Sequence, residues 1–380
     1  MSKENFVRQK LGILGGGQLG LMFIQAAMNY GLELFVLDPD SNASCSTYCK
    51  NFFTGSFLDE ETVYSFGKQL DIVTIEIENV NVNALKRLEK EGVRVFPQPH
   101  IVELIQDKGL QKKFFLDHSI PTAPFVYIDT KNQLTEFNFM FPAVMKSRKA
   151  GYDGRGVYNV NTEADISGAF DIPSILEERV EFIKELSVLV ARNETGEIKT
   201  FDVVEMEFNQ AANLVEYLIA PARISEKIET EARTLAISII EQLQMVGLLA
   251  VELFLTKKGV LIVNELAPRP HNSGHHTIEA NYVSQYEQHL RAILDLHLGS
   301  TNARSNAVML NVLGEPGFDG PACYQGIELL GKMEGVYIHL YGKKITRPNR
   351  KMGHITIINS DLEAAYVTAH YIKKNFKVTT

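Results

Sequence analysis

Cysteine is scarce in this chain and positive charge is not in excess. The 380 residues hold three cysteines, Cys45, Cys49 and Cys323, an odd set with no second metal-type pair, which predicts free thiols and no disulfide framework. Lys and Arg total 38 against 46 Asp and Glu, a net charge of −8 without a dominant basic region, so nucleic acid is not expected as the main partner. No apolar run approaches the roughly 20 residues that span a bilayer. Residues 1–10 are polar and lack the apolar core of a signal peptide, so a cytoplasmic protein with no membrane contact is expected. At this length two or three domains are predicted, and an enzyme acting on small molecules is the default.

The stretch 251–274 concentrates the residues that are costly to bury. Two apolar runs, 248–255 and 260–266, flank Lys257, Lys258 and Gly259, the pattern of two strands joined by a tight hairpin. Each run carries one carboxylate. A two-residue loop at Lys258 and Gly259 sets Glu252 opposite Glu265, whereas a glycine bulge at Gly259 slips the pairing by one and sets Asn264 there. Like charges opposed on apolar strands destabilise a sheet, so a cation is expected between them. Magnesium suits the pair, because it favours one or two carboxylates together with phosphate oxygens. Arg269, His271 and Asn272, around Pro268 and Pro270, add anion-binding donors directly after the second carboxylate. Metal followed by anion is an order suited to phosphate chemistry.

Upstream, the strand 11–14 runs into the turn Gly15–Gly20 and a helix to about residue 29, and a second strand, 33–37, ends at Asp38. The spacing meets the dinucleotide fingerprint, although such a turn offers its amides to any phosphate, with Gln18 and Leu19 facing the ligand. The apolar run 71–77 ends at Glu76 and Glu78, where ligands gather in open α/β sheets. Strand 93–96 closes a first domain near residue 100. Residues 100–118 read as one helix with Lys108 midway. Strand 141–146 ends on Lys146, and the glycine-rich loop 150–156 after it is either a phosphate lid or a mobile hairpin tip. Glu177, Glu178, Arg179 and Val180 follow a strand at 174–176, and Glu185 opens another, 185–191, a plausible cradle for adenine and ribose. An amphipathic helix is expected over 228–245, and Ser284 with Glu287 forms a capping box for a helix over 285–298. The remainder, from about 302, is rich in short β-like runs and carries the basic cluster Lys343, Lys344, Arg347, Arg350 and Lys351.

Six segments together resemble the ATP-grasp superfamily, and within it the N5-carboxyaminoimidazole ribonucleotide synthetase family: Gly15–Gly20, Glu76–Asn79, Gly151–Gly156, Asn264–Gly274, Ser284–Arg291 and Arg350–His354. The resemblance spans nearly the whole chain. It implies an α/β (α+β) ATP-grasp fold with an N-terminal Rossmann-like parallel-sheet domain (1–100), an ATP-grasp domain (101–300) with a mobile lid of about 124–185, and a small C-terminal β-rich domain (301–380). It also implies a homodimer that uses ATP, Mg2+ and bicarbonate to carboxylate 5-aminoimidazole ribonucleotide. On this likeness Lys108, Lys146, Gly151, Tyr152, Asp153, Gly154, Arg155, Gly156, Val157, Glu177, Glu178, Arg179, Val180, Glu185, Gln210, Asn264 and Glu265 would hold ATP, and Glu252 and Glu265 the metal. Gln18, Leu19, Glu76, Tyr152, Asp153, Arg155, Lys343, Arg350 and Lys351 would surround the ribonucleotide. Arg155, Arg269, His271 and Asn272 would serve the carboxylation itself, the last three by holding bicarbonate. Leu21, Gln210 and His276 depart from the family pattern, where a basic residue, a histidine and a tryptophan are frequent.

Bicarbonate is a poor electrophile, and its attack on the γ-phosphoryl of ATP would give carboxyphosphate, a mixed anhydride with a good leaving group. The protein's part is then positioning and charge stabilisation, with a closing loop that excludes water. Three other readings stand beside this one: a formate-using relative acting on glycinamide ribonucleotide, an NAD-dependent oxidoreductase built on the glycine turn, and a regulatory protein that senses ATP without turnover.

Overall fold

The computed structural model describes residues 9–149, 156–209 and 214–380. Residues 9–106 build a five-stranded parallel sheet in the order Asn51–Thr54, Glu33–Asp38, Lys10–Leu14, Ile72–Ile75, Arg94–Phe96. Its strands are apolar on both faces because helices cover both. Leu11, Ile13 and Val36 pack under the helix Gln18–Met28, and Leu14, Leu37, Val73 and Ile75 pack with Val63, Leu85 and Leu88 on the other side. The strand order reverses between Lys10–Leu14 and Ile72–Ile75, which opens a crevice beyond their carboxyl ends. Gly15 and Glu76 are the first residues past those ends.

The expected single helix over 100–118 is two helices, Pro99–Gln106 and Lys108–Asp117. Asp107 breaks it with an extended backbone, φ −114° and ψ 106°. Its carboxylate accepts from Gly109 N and from the Arg148 guanidinium, at 2.8 Å and 2.7 Å, so it serves as an N-cap rather than a helix-interior residue. The break puts Lys108 in the first turn of a new helix instead of the middle of an old one.

Four antiparallel strands, ordered Phe125–Ile128, Ser174–Glu178, Ala143–Ser147, Val157–Val160, form a small sheet over the cleft. The floor is a nine-stranded sheet that begins at Leu261–Ala267, Gly247–Thr256 and Phe182–Arg192, the last also pairing with the short strand Ile198–Thr200, and continues through Val204–Asn209 and Leu214–Ala220. It ends on three strands from the last quarter of the chain, Asn306–Leu313, Lys351–Asn359 and Val336–Leu340. The C-terminal β-rich region thus shares one sheet with the region before it. Helix Glu226–Leu243 covers one face with Ala232, Ala236, Ile239 and Ile240. A 14-residue helix, Leu362–Asn375, covers the C-terminal strands; its buried face is largely Ala365 and Ala369, too small to announce itself as an apolar stripe.

Helix Gln285–Ile293 stops five residues short of the expected end, with Asp295 in the left-handed region at φ 55°. Ser284 Oγ accepts from Glu287 N as a cap, but the Glu287 carboxylate turns away to Arg291 and the Tyr30 hydroxyl. Tyr286, Leu290 and Ile293 of this helix enter the same core as Met22 and Phe23, which fastens the parallel sheet to the rest.

Candidate active site

The glutamate hairpin realises both of its possible registers in succession. Gly259 has φ 75° and the strands leave the turn paired Leu255 to Leu261 and Leu253 to Val263, the slipped register. A second bulge follows, and Glu252 then stands opposite Glu265 with Asn264 as the extra residue. Two residues of one strand therefore face one of the other, and both carboxylates and the amide converge.

Asn264 Oδ1 accepts from Lys146 Nζ at 3.0 Å, which directs its NH2 to the Glu252 carboxylate it hydrogen-bonds. Lys108 Nζ lies 2.8 Å from Glu265 Oε2. Lys108 holds the Glu265 carboxyl well below the usual range, whereas burial, then Glu265, then Glu185 push Glu252 well above it. Burial raises Glu185 to about 7, against the pull of Lys146. The three glutamates thus share too few cations, and the surplus negative potential falls on Glu252 and Glu185. A divalent ion fits that surplus. Among the described residues no group of three or more His, Cys, Asp or Glu side chains forms a metal cage, so such an ion would need oxygens from elsewhere, as magnesium on a phosphate chain does.

Glu177 was expected among the nucleotide contacts. It lies buried with Lys112 Nζ 2.8 Å from one oxygen and Lys146 Nζ 2.8 Å from the other. Burial would raise its pKa, but Lys146 and Lys112 together hold it low. It locks the small sheet to helix Lys108–Asp117 and aims Lys146 at the hairpin. Lys112, near the end of the expected helix over 100–118, was given no role, although its i, i+4 spacing from Lys108 places both on one helix face. Glu178 and Arg179 are exposed, the latter bonded to Asn161, at the passage from the small sheet to the floor. Val157 pairs with Lys146, and Gly156 O accepts from Ser147 N. Gly151, Tyr152, Asp153, Gly154, Arg155 and Gln210 lie outside the described residues.

After the hairpin, Arg269 reaches Glu78 Oε1 at 2.8 Å, and His271 Nε2 stands 3.4 Å from Glu252 Oε1. Gln285 grips the His271 backbone from both sides, accepting from its N–H at 2.8 Å and donating to its carbonyl at 2.7 Å. Asn272 opens a short 3-10 turn at Asn272–Gly274. The helix with Gln285 was expected; its role in holding His271 was not, because only the fold brings the two segments together.

The glycine turn departs from the sequence reading. Its amides are occupied by the protein's own carboxylates: Gly16 N donates to Asp38 Oδ2 at 2.6 Å, Gly17 N to Glu76 Oε1 at 2.7 Å and Gly20 N to Glu76 Oε2 at 2.6 Å. A dinucleotide pyrophosphate would meet like charge there instead of free donors, and both Asp38 oxygens already accept from the Gly16 and Asp40 amides, which removes the physical basis of the NAD reading. Burial raises the Glu76 pKa while the Gly20 and Gly17 amides oppose it. Gln18, the first residue of the helix that follows, accepts from Lys343 Nζ at 3.0 Å, and Lys343 also donates to Lys351 O at 2.7 Å. Leu19 lines a small apolar hollow with Glu76 and Pro270. Arg350 bonds the carbonyl of Ile345 at 2.6 Å.

A lysine-bearing small sheet closing over a carboxylate hairpin is the arrangement of ATP-grasp proteins, and residues 113–286 match the ATP-grasp domain family. Residues 8–106 match the ribonucleotide synthetase preATP-grasp domain and residues 307–366 the phosphoribosylaminoimidazole carboxylase C-terminal domain. The chain belongs to the N5-carboxyaminoimidazole ribonucleotide synthetase family. It is 43% identical to the crystal structure of that synthetase from Thermotoga maritima, with a TM-score of 0.90 over 98% of this chain and 99% of the other. The Aspergillus clavatus synthase in complex with ADP and 5-aminoimidazole ribonucleotide is 32% identical, with a TM-score of 0.88 over 97% and 98%. The chloroplastic phosphoribosylaminoimidazole carboxylase of Vigna aconitifolia is 39% identical over 93% of this chain, and the chain spans 65% of that protein's length.

Proposed function

We propose that this chain is an ADP-forming carbon–nitrogen ligase that uses ATP and bicarbonate to convert 5-aminoimidazole ribonucleotide to N5-carboxyaminoimidazole ribonucleotide in purine biosynthesis. The observation that carries the reading is the convergence of Lys108, Lys146, Glu252, Asn264 and Glu265 in one cleft, with the anion-binding His271 segment directly after it. Neither formate chemistry nor a silent ATP sensor accounts as well for the family match in all three parts of the chain.

ATP would lie between the small sheet and the hairpin. Lys108 and Lys146 neutralise charge on its phosphoryl oxygens, and Glu185 receives the nucleoside end. Magnesium, held by Glu252 and Glu265 with Asn264 alongside, would supply further charge neutralisation on the phosphates. A bicarbonate oxygen held by Arg269, His271 and Asn272 attacks the γ-phosphorus, the bond to ADP breaks, and carboxyphosphate forms. His271 Nδ1 accepts from Ser273 N, so in the neutral ring Nε2 carries the proton and faces the reacting side. The exocyclic amine of the ribonucleotide then attacks the carboxyl carbon, the C–O bond to the phosphoryl group breaks, and the proton lost from the nitrogen leaves with the phosphate.

Gln18, Leu19, Lys343, Arg350 and Lys351 form the ribonucleotide pocket, with Glu76 shaping it by holding Gly17 and Gly20. Arg155, Tyr152 and Asp153, outside the described residues, would contribute to it on the family likeness. The domain division is placed at residues 1–100, 101–300 with a lid of about 124–185, and 301–380. The active form is a homodimer, and the free Cys45, Cys49 and Cys323 suit the cytoplasm.

The test is ADP release measured with ATP, bicarbonate and the ribonucleotide each omitted in turn. Full turnover only with all three is expected. Turnover that persists without bicarbonate, or that formate restores, overturns the assignment.

A further inference from the structure

Behind the His271 segment runs a column of aromatic side chains that the proposed chemistry does not use. His275 and His354 are buried with ring centroids 4.6 Å apart, and His354 stacks on His339 at 4.4 Å with the planes 7° from parallel. Hydrogen bonds hold the column from the side: Tyr286 Oη to His275 Nδ1 at 2.9 Å, Tyr341 Oη to His354 Nδ1 at 2.9 Å, and His339 Nε2 to Glu279 Oε1 at 2.7 Å.

Two of its rings, His275 at one end and His354 in the middle, adjoin the two ends of the proposed site. At the first, Gln285 clamps the His271 backbone and extends the same Nε2 to His275 Nδ1 at 3.3 Å. Because Gln285 Oε1 is engaged by His271 N–H, its Nε2 can only donate. His275 Nδ1 is therefore an acceptor, and the ring proton sits on Nε2. At the second end, His354 lies on the strand Lys351–Asn359, three residues from Lys351, whose carbonyl binds Lys343.

Among the described residues the buried His354 Nε2 has no hydrogen-bond partner. Such an atom costs about 1–3 kcal/mol, which a phenylalanine in the same stack would not carry. The imidazole is thus a poor choice for packing alone, and what it adds over phenylalanine is the Nδ1 contact to Tyr341.

We propose that His275 and His354 are positioning residues: their stack sets the separation between the His271 end of the site, where bicarbonate is activated, and the Lys351 end, where the ribonucleotide is bound. The inference rests on the function proposed above. Carboxyphosphate formed out of register with the amine would hydrolyse, so a loosened stack should uncouple ATP cleavage from carboxylation.

The experiment measures phosphate released per carboxylated product, with KM for each substrate, in the full chain. In His354→Leu the ratio should rise from near one to about five or more and the ribonucleotide KM about tenfold, with the ATP KM within about twofold. His354→Phe, which restores the ring, should recover part of the coupling. Tyr341→Phe keeps volume and fold and should shift the ratio in the same direction by a smaller factor, which carries the test if His354→Leu does not fold. An unchanged ratio in Tyr341→Phe, or equal loss of ATP and ribonucleotide affinity in a folded His354→Leu, overturns the proposal. Wild-type chain that forms no ADP with all three substrates would instead overturn the function on which it rests.

Discussion

Lys343 and Gln18, 325 residues apart in the chain, meet through a 3.0 Å hydrogen bond at the mouth of the parallel-sheet crevice. The contact ties the C-terminal strands to the start of the glycine-turn helix, and Lys343 holds the Lys351 carbonyl with the same ammonium.

Replacing Lys343 with alanine removes both bonds and a cation from the ribonucleotide end. The ribonucleotide KM should rise by about tenfold or more, the loss expected for one charge-assisted contact, with the ATP KM little changed. Steady-state kinetics with each substrate varied checks this; an effect confined to ATP would contradict the placement.

Glu265→Ala strips the hairpin of the carboxylate paired to Lys108 and leaves Glu252 alone. ADP formation should fall by roughly a hundredfold or more, since the groups that neutralise the phosphates act together. Titrating magnesium against the residual rate should show a higher requirement than wild type. A rate and magnesium dependence equal to wild type would remove the hairpin from the chemistry.

Glu76→Ala unbinds the Gly17 and Gly20 amides at once. Two buried donors lose their acceptor, which costs about 1–3 kcal/mol each at most. The midpoint of urea unfolding should drop accordingly, and isosteric Glu76→Gln should recover part of the loss because it keeps one acceptor oxygen. A Glu76→Ala chain as stable as wild type would mean the turn holds itself.

Acid should destabilise the fold before the ordinary carboxylates titrate. Burial lowers the pKa of His275 and His354, and lowers His276 to about 4 and His289 to about 3. In the unfolded chain these rings take up protons near pH 6.5, so below that pH the unfolded state binds more protons and stability falls. Glu185, raised to about 7, and Glu252, Glu76, Asp38 and Glu229, raised also, act in the opposite sense by binding protons in the folded state. A net loss of stability is expected as pH falls from about 6.5 to 5, because the rings are shifted strongly by burial while the upward shifts of Asp38, Glu76 and Glu229 are opposed by the backbone amides that bind them. Urea unfolding at pH 7.5, 6 and 5 measures it, and stability that rises across that interval would show that the rings are not buried as neutral bases.

The sequence by itself determined the elements and the ingredients of the site. Alternating and continuous apolar runs marked the strands around Glu252 and Glu265, glycine spacing marked the turn before the first helix, and the Asn264–Gly274 segment carried the family likeness. These are local signals, set by periodicity and turn chemistry within a few residues. What only the tertiary structure decided was which partner each polar group takes. Glu76 and the glycine turn looked like two ligand sites and are one hydrogen-bonded unit. Glu177 looked like a nucleotide contact and anchors two lysines, and the hairpin resolved its register only by bulging at Asn264. The partners that Lys112, Gln285 and the stacked histidines take have no signature along the chain, because a buried charge or ring is stabilised by groups that folding brings together from distant positions, and that pairing energy has no local sequence pattern.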